Sequence, residues 1–84
     1  MYYLYILQCA DKSLYAGITM DLAKRVNEHN NSKLGAKYTM TRRPVKIVYS
    51  KKFRNRSLAS NAEILIKKLS REEKIELIKK YGNL

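Results

Sequence analysis

Four side chains in the first third of the chain are of types that could do chemistry together: Tyr5, Tyr15, Arg25 and His29. An imidazole exchanges protons near neutral pH, and a guanidinium grips anions with a planar fork. Two phenols beside them can pass a proton or donate hydrogen bonds. The set suits acid–base work on an anion; the alternative is that these four merely form the edge of a core. The choice rests on whether the chain brings them together.

Residues 2–9 and 13–17 are strand-like runs around a polar turn at Asp11, a hairpin signal. Its register decides where the phenols point. A three-residue loop, Ala10-Asp11-Lys12, sets Leu7 opposite Tyr15 and Tyr5 opposite Gly17, so that Tyr5, Leu7 and Tyr15 share one face. A two-residue loop would part the tyrosines, so a shared site requires an odd loop. Asp21 is then a good N-cap for a helix running to about Asn30. Leu22 and Val26 form its apolar side, and Arg25 and His29, four apart, share an adjacent stripe.

Asn30-Asn31-Ser32 breaks that helix, and residues 33–43 read as a basic loop holding Lys37-Tyr38-Thr39. A third strand spans 45–53, with Val45, Ile47 and Tyr49 alternating with Lys46 and Val48. A second helix starts near Ser57 as N-cap and runs to about Leu69, with Leu58, Ala62, Leu65 and Leu69 facing the core. Ser70-Arg71-Glu72-Glu73 is a capping-box pattern opening a third helix. Ile75, Ile78 and Tyr81 are its buried stripe, and Gly82 suits its C-terminal cap. The expected order is β-β-α-β-α-α in one α+β domain over residues 1–84, a chain too short to divide.

Composition narrows the partners. The single cysteine, Cys9, excludes an internal disulfide and a multi-cysteine zinc site, and on a strand it reads as a small buried hydrophobe. Seven tyrosines against one Phe and no Trp favour rings with a polar tip. No signal peptide or long apolar run is present, which predicts a soluble, cytoplasmic protein. The formal charge is +11, unevenly placed: residues 1–20 are neutral, and no acidic residue lies between His29 and Ala62. That span carries Lys33, Lys37, Arg42, Arg43, Lys46, Lys51, Lys52, Arg54 and Arg56. A one-sign stretch in a folded domain suggests a polyanion, since neutralising phosphates releases condensed counterions. A merely solvated basic face is the ordinary alternative. A membrane surface is disfavoured, because no helix pairs a basic face with a broad apolar one.

With YLY at 3–5, YAG at 15–17, R-x-x-x-H at 25–29 and a later helix-borne Glu63, the chain resembles the GIY-YIG nuclease domain. Leu14–Thr19 (LYAGIT) and the KYT-x-x-RRP segment at 37–44 are similar to those of small stand-alone GIY-YIG proteins, many of them uncharacterised. The triplets depart from the family pattern at Tyr3, Leu4 and Ala16. The Asn that full nucleases often carry beyond the metal Glu is also missing, since 75–78 are Ile-Glu-Leu-Ile. The resemblance implies a three-stranded antiparallel sheet flanked by helices. It implies Tyr5 and Tyr15 as motif tyrosines, Arg25 and His29 as the helical pair, and Glu63 as ligand of one Mg or Mn ion.

By that resemblance the activity is phosphodiester hydrolysis of a nucleic acid, most naturally DNA. Tyr5 would be general base or relay, Tyr15 would position water or phosphate, Arg25 would contact the scissile phosphate, and His29 would assist proton transfer. Lys37, Tyr38, Thr39, Arg42, Arg43, Lys51, Lys52, Arg54 and Arg56 would supply backbone contacts and stacking with little sequence preference. Two alternatives stand beside this: a binding module on the same basic face that cleaves poorly, and an interaction domain for an acidic protein. Taken singly the residues have ordinary readings too, Glu63 with Lys67 being the spacing of a surface helical ion pair.

Overall fold

The hairpin closes on three residues. Cys9 and Ser13 exchange the last ladder bond, Ser13 O accepting from Cys9 N at 2.9 Å, and Lys12 turns the chain with φ 71°. A third loop residue in the left-handed region is how a three-residue hairpin connection joins its strands. Asp11 secures the turn by accepting from the Ser13 amide and hydroxyl at 3.0 and 2.5 Å. The register follows: Leu7 faces Tyr15 and Tyr5 faces Gly17.

The computed structural model describes residues 1–82. Its elements are β1 (Tyr2–Gln8), β2 (Leu14–Thr19), α1 (Leu22–Asn31), α2 (Lys37–Met40), β3 (Lys46–Phe53), α3 (Arg56–Lys68) and α4 (Arg71–Tyr81). The antiparallel sheet has strand order β2-β1-β3. The expected α+β order holds, with one added element: the basic segment after α1 contains the short helix α2.

Each sheet face has its own apolar cluster. On one, Leu4, Ile6 and Ala16 pack with Ile66 of α3 and Ile78 of α4. On the other, Tyr5, Leu7 and Cys9 pack with Val45 and with Leu22 and Val26 of α1. β1 is thus buried on both faces, as a central strand with helices above and below must be. No helix among the described residues is long and apolar enough to cross a membrane.

Four expectations about capping and packing are corrected. A bulge opposite the Ile6–Leu7 step breaks the alternation of β3: Ile47 stays with Leu7 on the Tyr5 face, while Tyr49 pairs with Ile6 and joins the other cluster beside Val48. One extra residue in a strand flips every side chain beyond it. Asn55, not Ser57, caps α3, accepting from Leu58 N at 2.9 Å. The face that α3 buries is then Ala59, Ala62, Ile66 and Leu69, with Leu58 and Leu65 48% and 64% exposed. Small alanines let the helix backbone approach the sheet, where a leucine would hold it off. On α4, Leu77 packs beside Ile78 while Tyr81 is exposed.

The capping box at Ser70 and Glu73 forms. Gly82 is the C-cap of α4, but with φ −118° it does not use the left-handed region. It is needed for closeness, because a Cβ there would lie 2.2 Å from the Val48 carbonyl oxygen.

Candidate active site

Asp21 starts α1 by accepting from the Lys24 amide at 3.1 Å, which fixes the rotation of the helix. Leu22 and Val26 then face the sheet, and His29, one turn past Arg25, is driven into the interior with no exposed surface. The C-terminal end of α1 is held in two ways. Asn30 grips the start of β3, its amide donating to Val45 O at 3.0 Å and its carbonyl accepting from Val45 N at 2.7 Å. The Arg43 guanidinium donates to the carbonyls of Glu28, His29 and Ser32. Carbonyls at a helix end lack partners within the helix, and a cation suits the negative end of its dipole.

His29 sits between two side chains. The Tyr5 hydroxyl lies 3.0 Å from its Nε2, and Thr39 Oγ1 lies 2.8 Å from its Nδ1. Tyr15 adds an edge-on ring with its centroid 5.3 Å from the imidazole, and Tyr38 stacks on Tyr15 at 5.8 Å. The Arg42 guanidinium covers Tyr38, 4.0 Å from the ring centroid, while donating to Asp11 and to the Tyr38 carbonyl. A column of aromatic groups therefore runs from buried His29 outward to a surface arginine. Burial, together with the positive charges of Arg25 and Arg43, lowers the His29 pKa to about 4, so the ring is neutral at pH 7.

Burial raises the Tyr5 phenol above its ordinary value, and the nearby Tyr15 and Glu63 add to that. Arg25 opposes them, its charge favouring the phenolate. The hydrogen bonds of Arg25 go elsewhere, to the Glu28 carboxylate at 3.0 Å and the Leu34 carbonyl at 2.8 Å. Both Arg25 and Glu63 thus lie within electrostatic reach of the phenol.

Glu63 is partly buried on α3 and pairs with exposed Lys67 at 3.4 Å, the ordinary helical ion pair. Among the described residues no cluster of three or more His, Cys, Asp or Glu could hold a metal. A lone carboxylate suits a hard cation such as Mg²⁺, whose shell is completed by water and substrate oxygens, and not a soft metal needing a protein cage.

Of the five residues expected to form the site, Tyr5, Tyr15 and His29 are in contact through the imidazole, while Arg25 and Glu63 act on the Tyr5 phenol through their charges. The nine assigned to nucleic acid are divided. Lys37, Lys51, Lys52, Arg54 and Arg56 are exposed, as is Tyr38 at 39%. Lys52, opposite Tyr3 in the ladder, shares the Tyr5 face, while Lys51, opposite Leu4, belongs to the other. Arg42 is partly engaged by Asp11, and the Arg43 guanidinium is turned to the α1 carbonyls. Thr39 is buried behind His29. The reason is α2: a one-turn helix at 37–40 points Thr39 inward and Tyr38 outward, a division that an irregular loop does not announce. Asn30 and Gly35 were missed as positioning residues. At Gly35 a Cβ would lie 2.8 Å from both Glu28 O and His29 Cα, so glycine lets the segment fold back onto α1. A glycine within an otherwise basic polar segment was the available signal.

Residues 1–76 match the family model of the GIY-YIG catalytic domain. A UPF0213 protein of Syntrophus aciditrophicus is 52% identical over 77 residues, covering 92% of this chain and 88% of its own length. One of Clostridium perfringens is 53% identical over 78 residues, covering 93% and 83%. The solution NMR structure of a UPF0213 protein from Bacillus halodurans has a TM-score of 0.64 at 40% identity, covering 98% of this chain and 87% of that one.

Proposed function

This chain belongs to the GIY-YIG catalytic-domain family, a nuclease superfamily, and on that premise we propose that it is a metal-dependent endonuclease that hydrolyses DNA with little sequence preference. The observation that carries the reading is the Tyr5–His29 hydrogen bond, 3.0 Å long and buried, beside Arg25 and within reach of the charge of Glu63. Burial alone would be satisfied by any acceptor for the phenol; that the acceptor group is an imidazole, with the charge of Arg25 acting on the phenol, supports an acid–base role.

Each group has a task in the hydrolysis. Tyr5 takes a proton from the attacking water as its own passes to His29 Nε2, in one concerted movement, so that no phenolate accumulates and the imidazolium formed is short-lived. The water oxygen bonds to phosphorus while the bond to the leaving oxygen breaks. The leaving oxygen then gains a proton from solvent, and His29 releases one. Arg25 offsets charge on the phosphoryl oxygens, exchanging its Glu28 contact for the phosphate. Tyr15, between His29 and Tyr38, fixes the lateral position of the reacting group. Glu63 would hold one Mg²⁺ or Mn²⁺, which when bound stabilises charge on the phosphate and the leaving oxygen. The exposed Lys37, Lys52, Arg54 and Arg56 follow the phosphate backbone, which carries no sequence information.

One observation favours a second reading, a module that binds nucleic acid and cleaves poorly: Arg25 is already engaged by Glu28 and Leu34. The deciding experiment is nicking of supercoiled plasmid and of a single-stranded oligonucleotide with Mg²⁺ or Mn²⁺, comparing wild type, Glu63→Ala and Tyr5→Phe. Cleavage lost in both folded variants, with binding retained, is expected. Equal background cleavage in all three would leave the binding module as the better account.

A further inference from the structure

We propose that Thr39 is a positioning residue, holding the His29 ring in the tautomer whose bare Nε2 can accept the proton of Tyr5. The kinetic part rests on the nuclease reading above; the hydrogen-bond part does not.

The direction of every bond follows from where the single Thr39 proton goes. A threonine hydroxyl has one proton to give. Thr39 gives it to the Ala36 carbonyl at 2.9 Å, an oxygen that also accepts from the Thr39 and Met40 amides at 3.1 and 3.2 Å. Its 2.8 Å contact with His29 must therefore be one in which Nδ1–H donates and Thr39 accepts. A neutral imidazole carries a single N–H, so Nε2 is left with a lone pair, and the Tyr5 hydroxyl 3.0 Å away donates to it. The run from Tyr5 through His29 and Thr39 to Ala36 thus points one way throughout. Tyr5 is 2% exposed and the other two side chains 0%, so bulk solvent competes little for these bonds.

Without the Thr39 oxygen the ring loses its reason to keep the proton on Nδ1. The other tautomer would donate from Nε2 to Tyr5, leaving the phenol with no acceptor for its own proton at the moment the water must be deprotonated. α2 delivers this oxygen. It is one turn long, its N-cap Ala36 offers no side-chain cap, and Gly35 brings it against α1 at the level of His29. The neighbouring Tyr38 seals the outer side by stacking on Tyr15. This places the threonine of the K-Y-T segment inside the machinery and not at its nucleic-acid surface.

The chain has one histidine, so nitrogen-15 labelling of histidine yields two ring signals with no overlap. In the wild type at pH 7, Nδ1 is expected at a protonated, pyrrole-type position and Nε2 at an unprotonated, pyridine-type one. A ring protonated on Nε2, or on both nitrogens, overturns the proposal. Thr39→Ser, which keeps the hydroxyl, should preserve both the tautomer and kcat. Thr39→Val should move the ring toward the Nε2–H form and lower kcat about 100-fold, the low end of what positioned proton transfer contributes, with KM little changed. Undiminished kcat in a folded Thr39→Val overturns the positioning role, as does a loss that Thr39→Ser shares in full. If Thr39→Val does not fold, the wild-type spectrum and the Thr39→Ser comparison decide. A wild type that cleaves nothing sinks the nuclease reading and the kinetic role, whereas the ring spectrum still upholds or overturns the bond direction.

Discussion

The Tyr5 ring lies across the backbone of Gly17, its ladder partner, so closely that a Cβ at Gly17 would stand 2.5 Å from the phenolic oxygen and 2.7 Å from Cζ. The last residue of the YAG triplet is therefore a space requirement, not a turn requirement: its φ is not positive. Gly17→Ala must push the phenol away from His29. We expect cleavage to fall at least as far as in Tyr5→Phe, nucleic-acid binding to persist, and stability to drop by about 1–3 kcal/mol from overpacking. Wild-type cleavage in Gly17→Ala would mean that the Tyr5 position is not critical.

Tyr5→Phe removes the one donor to a buried imidazole nitrogen. Leaving a buried acceptor without a partner costs about 1–3 kcal/mol, so the variant should fold but unfold at lower urea. A stability equal to wild type would show that the Tyr5–His29 bond contributes nothing net.

Two basic residues should behave oppositely. Arg43→Ala strips donors from three carbonyls at the end of α1 and should lower stability, by about 1–3 kcal/mol, while changing the salt dependence of DNA binding little. Lys52→Ala, on the exposed edge of the Tyr5 face, should leave stability within about 0.5 kcal/mol and reduce the slope of log K against log salt by about 1. Urea melts and salt titrations of both variants check this, and a reversed pattern would assign the contacts the other way.

Buried His29 ties stability to pH. The unfolded chain binds a proton on this ring below its ordinary value of 6.5, whereas the folded chain refuses it until about pH 4. Between those values the unfolded state holds more protons, so stability falls as pH drops from 6.5 toward 4 and levels off below. At about 1.4 kcal/mol per pH unit the full loss is on the order of 3 kcal/mol. Urea midpoints taken from pH 7 to 5 should decline in the wild type and stay flatter in His29→Gln. Matching declines would place the titrating group elsewhere.

Local chemistry made much of this protein legible from its sequence. Asp21 caps α1 because its carboxylate reaches the Lys24 amide, and Ser70 and Glu73 box α4 because they lie three apart. At Asp11 the sequence allowed a two- or three-residue loop, and the structure chose three, which puts Tyr5 and Tyr15 on one face. Each device acts within a few residues, so its partners are adjacent in the chain. The tertiary structure decided what depends on distant neighbours. Arg43 left the nucleic-acid surface because the open end of α1, eleven to fifteen residues away, lay within its reach. Leu58 and Leu65 stayed outside because α3 seats its alanines on the sheet. A single bulge sent Tyr49 to the face opposite Ile47. Thr39 joined His29 for the same reason. A hydroxyl ten residues from an imidazole has no signature in sequence, and only the packing of α2 on α1 makes the pair a unit.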